Sequence, residues 1–209
     1  MILFVFEGRK TEPSLFKTLE YLYFKNPDEQ KICCFDYDFQ NKNLELEDLN
    51  SQVQEMLDFF SDETDNGKLY INYPMVESIK CTQKLPDEHF YEYKVTREDC
   101  SNFKDYVANV YSYYKSTDFI QFSLDKKTKE LRPITKEREQ FVKENWDYLK
   151  EQNIKKANYI CNDIYDYPEN KSDVSQEKIL DSQLEKFVIP KNEVSILSAF
   201  PLFLFEYFK

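Results

Sequence analysis

The first sixteen residues limit the fold more than any other part of the chain. Ile2–Phe6 is a short apolar run with β-forming character, and it leads directly into Glu7-Gly8. Such a run, closed by an acid and a glycine, reads as a buried strand that ends where the chain reaches solvent. Gly8 is one of two glycines in 209 residues, so a rare point of backbone freedom stands directly behind a strand-terminal acid. Pro13 suits the first turn of a helix beginning near Thr11 or Glu12. Strand, tight turn and helix in this order set Glu7 at the carboxyl end of a strand, where open α/β sheets collect their ligands.

The same order repeats downstream. A helix over 12–24, with Leu15, Leu19 and Leu22 on one face, leads to a second apolar strand, Lys31–Phe35, which runs into Asp36-Tyr37-Asp38. Alternation along a strand end puts Asp36 and Asp38 on the same side. A helix over 44–60, carrying Leu49, Val53, Met56, Leu57 and Phe60, precedes a third strand at Lys68–Tyr73. Asn72, Pro74 and Glu77 offer a further polar edge there, although Glu77 also fits an exposed acid in a first helical turn. Strands alternating with helices predict an α/β fold with a mainly parallel sheet. Glu7, Asp36 and Asp38 would then meet at one sheet edge, where their mutual repulsion calls for a cation. Carboxylate oxygens suit Mg²⁺ or Mn²⁺. The alternative for Asp36 and Asp38 is an acidic, solvated loop.

Charge narrows the partners. With 28 Lys and Arg against 39 Asp and Glu, the net charge of −11 disfavours a chain that grips nucleic acid unaided, because phosphate contacts come mainly from basic side chains. Nucleic acid would need a metal, a local basic strip or a partner protein. Lys126, Lys127, Lys129 and Arg132 form the one basic stretch, read either as a solvated loop or as a phosphate contact. The 18 Phe and 16 Tyr exclude a disordered chain and predict an aromatic core. Five cysteines without metal-ligand spacing predict reduced thiols in a cytoplasmic protein. The start lacks a basic leader and no apolar run approaches the ~20 residues of a membrane span, so neither signal peptide nor membrane anchor is expected.

Two segments follow, 1–80 with the strand-end acids and 81–209, mainly helical and aromatic. In the second, His89 is the only histidine and reads as a structural surface residue beside Phe90-Tyr91. Helices are expected over 103–114, 137–152 and 175–187. The tail from Val194 to Phe208 is the most apolar stretch, interrupted by Pro201, and reads as a core helix or as a docking surface.

Taken together, Glu7-Gly8, Thr11-Glu12-Pro13 with Phe16, and Asp36-Tyr37-Asp38 resemble the Toprim fold. The string Glu-Gly-Arg-Lys-Thr-Glu-Pro-Ser-Leu-Phe is most similar to the RloB-like branch, and Asn72-Tyr-Pro-Met-Val-Glu77 is similar to that branch's Asn-x-Pro-x-x-Glu element. The resemblance covers roughly residues 2–80. It implies a Rossmann-like Toprim core followed by a helical C-terminal half. It also implies a metal-dependent nuclease in which Asp36 and Asp38 hold Mg²⁺ and Glu7 shares the metal or handles a proton. Gly8, Thr11, Glu12, Asn72 and Glu77 would support that site. Members are associated with ATPases of the ABC or AAA type in bacterial defence against phage, so such a partner is implied, with homo-oligomerisation left open. A second expectation is a non-catalytic regulatory subunit that docks the ATPase through residues 81–209. The chain departs from the Toprim pattern between Glu7 and Asp36, where the 28 residues from 8 to 35 hold one helix in place of two helices and a strand.

Overall fold

The computed structural model describes residues 2–6, 11–24, 30–37, 45–60, 67–111 and 116–208. The first segment alternates as its apolar spacing predicts: β1 (Ile2–Phe6), α1 (Thr11–Tyr23), β2 (Gln30–Asp36), α2 (Leu46–Phe59) and β3 (Lys68–Asn72). The three strands form one parallel sheet in the order β1-β2-β3. Phe6 pairs with Cys34 and Asp36 pairs with Asn72, so all three strands deliver their carboxyl ends to one sheet edge. β1 and β2 are direct neighbours, and the single helix α1 connects them. The short interval after Glu7 is therefore accommodated without another strand between the two.

The helices lie against the sheet by their apolar stripes. Leu15 and Leu19 on α1, and Val53 and Leu57 on α2, repeat at four-residue spacing and are buried. β3 is buried from Leu69 to Asn72, as expected of a strand covered on both faces. Its outer edge is covered too. The Ile71 N–H donates to Gln176 Oε1 at 2.9 Å, and Tyr73 exchanges two backbone hydrogen bonds with Leu197, at 2.8 and 2.9 Å. Unpaired strand edges invite association with other chains, and this one has been closed from within.

The first segment closes with a 3₁₀ turn (Val76–Lys80), and the second contributes β4 (Lys94–Thr96), α3 (Arg97–Cys100), α4 (Phe103–Val110) and α5 (Lys136–Asn162). It continues with α6 (Gln176–Gln183), a π turn (Leu184–Val188), α7 (Ile189–Lys191), β5 (Glu193–Ser195) and α8 (Ala199–Tyr207). β4 and β5 pair antiparallel. α5 begins at Thr135, whose hydroxyl accepts from the Arg138 N–H, and stops at Asp163 in the left-handed region, φ 60°. It runs ten residues past the expected end at Gln152 because its last turns bury Asn153, Lys156 and Asn158, which break the apolar period read from the sequence. α4 ends at Val110, short of the helix expected to Tyr114; positions 112–115 lie outside the described residues.

The apolar tail is a core element. It begins as β5 and then forms α8, where Phe200, Leu202, Phe203 and Leu204 are buried. Of the two expectations for this stretch, the structure takes the core helix, and little of α8's apolar surface remains for docking a partner. The Phe203 ring sits 5.8 Å from both Tyr70 on β3 and Phe24 after α1. The core therefore continues from the sheet into the helical segment.

Candidate functional site

Asp36 is the last residue of β2 and Asn72 the last of β3, and parallel register sets them side by side. Asn72 Nδ2 donates to Asp36 Oδ1 at 2.9 Å. The other end of the same amide, Asn72 Oδ1, accepts the N–H of Ala199, the first residue of α8, at 2.9 Å. Asn72 is 1% exposed, so both bonds form in a region of low dielectric, where directional contacts hold a side chain in one orientation. The result is a partly buried carboxylate whose direction is set by a neighbour. Metal-ligating carboxylates are commonly hydrogen-bonded in this manner.

Tyr37 fixes the strand end from the other face. Its N–H donates to the Asn72 carbonyl at 3.0 Å, its hydroxyl donates to Asn50 Oδ1 on α2, and its ring lies 5.6 Å from that of Tyr73. Burial pushes the Tyr37 hydroxyl well above its ordinary pKa, with the nearby Arg97 guanidinium pulling weakly the other way. Tyr37 therefore stays protonated and acts as a hydrogen-bond donor. After β3 the chain passes through a cis Tyr73–Pro74 peptide into the 3₁₀ turn that carries Glu77.

Glu77 is 7% exposed. Its Oε1 lies 3.7 Å from Lys104 Nζ on α4, whereas Oε2 is buried without a hydrogen-bond partner. A buried carboxylate oxygen left unsatisfied is costly, on the order of 1–3 kcal/mol or more for a charged group, and native proteins keep such atoms where they have a further use. The expectation of an exposed first-turn acid is thus replaced by a buried one with spare hydrogen-bonding capacity.

Of the residues named from sequence, the structure brings Asp36 and Asn72 into direct contact and gives Glu77 a different partner, Lys104. Thr11 and Glu12 begin α1. Glu7, Gly8 and Asp38 lie outside the described residues. Among the described residues, no three His, Cys, Asp or Glu side chains converge as a metal site would require. Asp36 offers hard carboxylate oxygen, which fits Mg²⁺ or Mn²⁺ in preference to a softer ion. All five cysteines are free thiols, and Cys81 and Cys161 are held above the ordinary thiol range by burial, Cys161 to about 11, so neither is an activated nucleophile. His89 is exposed, with Nδ1 3.7 Å from Glu92, consistent with a surface role.

Sequence reasoning missed Tyr37, Lys104 and Arg97. Tyr37 was visible between two acids, but nothing marked it as the buried member. Lys104 and Arg97 reach the strand ends from α4 and α3, and no local spacing links them to β2 or β3. No helix is long and apolar enough among the described residues to cross a membrane. No family model, curated protein or solved structure matches the chain.

Proposed function

We propose that the chain is a metal-dependent phosphodiesterase of the Toprim type, a nuclease acting on nucleic acid through the carboxylates at the ends of its parallel strands. The observation that carries this reading is the Asp36–Asn72 pair: an acid at a strand terminus, held at 2.9 Å by a buried amide that is itself anchored to α8. Glu7 follows β1 directly in sequence and Asp38 follows Asp36 by two residues, so these three carry the metal in the proposal. Bound there, Mg²⁺ or Mn²⁺ supplies charge to polarise the phosphate and acidify a water.

The chain's own groups have distinct tasks. Asn72 keeps Asp36 in one orientation, and Tyr37 ties the end of β2 to α2, so the carboxylate does not have to be ordered when the substrate arrives. Glu77 offers a buried acceptor oxygen, with Lys104 beside its other oxygen, suited to accepting a hydrogen bond from a substrate hydroxyl. The net charge of −11 leaves recruitment of a long polyanion to other means, which is the place in this proposal for an ATPase partner of the ABC or AAA type.

Calorimetric titration of Mn²⁺ into wild type, Glu7→Ala and Asp38→Ala tests the proposal, alongside cleavage of labelled single- and double-stranded substrates. Binding in the wild type that is lost in both variants, with cleavage lost in parallel, is the expected outcome. A wild-type chain that takes up no divalent ion overturns it.

A further inference from the structure

The basic stretch recognised in the sequence folds back onto the start of α1. Leu124 and Leu131 form an isolated antiparallel bridge, so residues 125–130 make a hairpin-like turn. Lys129 closes it in the left-handed region, φ 61°, with its N–H on the Asp125 carbonyl at 3.0 Å. The Asp125 carboxylate accepts the Lys127 and Thr128 N–H groups at 2.8 and 3.0 Å, and these bonds hold its pKa below the usual range. Lys17 of α1 donates to the Lys129 carbonyl and so fastens the turn to the helix.

Between the turn and the first turn of α1 lies a cleft of about 660 Å³, the size of an ordinary small-ligand pocket. Lys17, Lys126, Lys129 and Arg132 line it, against two carboxylates, Asp118 and Asp125, and the second of these is occupied by backbone N–H groups. Glu130 stands 3.9 Å from Lys17 but is largely exposed. On a chain of net charge −11, this cleft carries an excess of cations. Pro13 and Ser14 in the first turn of the thirteen-residue helix α1 form part of its wall; proline has no N–H to give, so the helix start contributes its dipole, which favours an anion. Gln121, on the lining, keeps a buried Oε1 without a hydrogen-bond partner. That acceptor calls for a donor, which a bare phosphate dianion lacks and which a sugar hydroxyl or a base amine supplies.

We infer that this cleft binds a nucleotide unit, its phosphate on Lys17, Lys126 and Arg132 and its sugar or base on Gln121. The unit belongs either to a polynucleotide strand or to a free nucleotide, and the two share this chemistry. As a phosphate-binding surface beside α1, the helix that comes after β1 in the chain, the site deepens the nuclease reading and rests on it for its purpose. Its occupancy is nevertheless independent of metal.

The test is fluorescence anisotropy in EDTA with a labelled single strand of about 12 nucleotides at about 50 mM salt, with ADP as competitor. Lys126 and Arg132 are both exposed, so Lys126→Glu/Arg132→Glu keeps the fold, as checked by circular dichroism and thermal melting. The expected result is a loss of at least about tenfold in affinity in the double variant and a salt slope smaller by about 1.4, the share of two single-strand contacts. Displacement of the strand by ADP identifies the free nucleotide as the occupant, and failure of ADP to compete identifies the strand. Binding of neither probe by the wild type, or equal binding by the double variant, overturns the inference. Because metal is absent, strand binding that persists in a chain that takes up no Mn²⁺ refutes the nuclease reading and leaves this site standing.

Discussion

Along α5, Asn145, Trp146, Asn153 and Lys156 are all buried, and each gives its polar hydrogens to a backbone carbonyl, those of Phe119, Ile120, Leu149, and Phe90 with Tyr93. At the ends of β2 and β3 the buried polar groups are arranged otherwise. Asn72 ties the Asp36 carboxylate to the Ala199 N–H, side chain to side chain on one end, and the Oε2 of Glu77 has no hydrogen-bond partner. A side chain that completes the hydrogen bonding of the backbone is doing structural service and has nothing left to offer a ligand. An atom left without a hydrogen-bond partner, as Glu77 Oε2 is, keeps capacity in reserve. Gln152 departs from the pattern of α5: both its amide atoms are unpartnered, beside a pocket of about 110 Å³, room for a few waters at ~30 Å³ each.

The largest effect that sharpens this contrast lies in the core common to both regions. Phe203→Ala removes the ring that meets Tyr70 and Phe24, at a cost of about 3–5 kcal/mol, and a single urea transition should report it with both tyrosine and Trp146 fluorescence. Two separated transitions would show that the regions fold as independent units. Asn72→Ala comes next. It strands the Ala199 N–H and frees Asp36, so equilibrium unfolding should lose about 1–3 kcal/mol and divalent-ion affinity should fall with it. An unchanged ion affinity would demote Asn72 to a purely structural link.

Alkaline pH probes the aromatic core. Burial raises the pKa of Tyr37, Tyr70 and Tyr73, so the folded chain keeps protons that the unfolded chain releases near pH 10. Their contribution is complete below about pH 10 and is lost as the pH rises toward their folded values. Cys81 and Cys161, raised by burial, begin to lose their contribution above about pH 8.5, while Lys156, lowered by burial, adds stability with rising pH up to its unfolded value near 10.4 and offsets part of that loss. Urea midpoints should therefore fall from about pH 8.5 and more steeply above about pH 10. The smallest effect is expected at His89. His89→Ala should move stability by less than about 0.5 kcal/mol, since the side chain is 71% exposed, and a larger change would give this residue a role that its surroundings do not suggest.

The sheet was readable because each strand is a short apolar run punctuated by a polar residue, so Ile2–Phe6 appears with its expected bounds and β2 and β3 within one residue. β5 was not, because Val194 and Ser195 continue without a break into the apolar helix α8, and their strand partner, Lys94–Thr96, lies in a distant part of the chain. The π turn at Leu184–Val188 likewise continues the periodicity of a plain helix and differs only in its hydrogen bonding. For the site, strand-terminal acids announce themselves by position, which is why Asp36 was found. What sets Asp36 in place is Asn72, whose amide is anchored at Ala199, 127 positions further along the chain, and such a bridge leaves no trace in local spacing.

The closed outer edge of β3 also bears on how this protein behaves when damaged. The shielding groups, Gln176 and Leu197, both come from far downstream of β3, Gln176 105 positions after Ile71, so the sheet is protected by residues made well after it during synthesis. Until they arrive, the Ile71 and Tyr73 N–H groups are open to any passing strand. A nascent or proteolytically clipped chain ending before Gln176 thus exposes a sticky β-edge, and it is the return of Gln176 and Leu197 to β3 that closes an aggregation-prone intermediate.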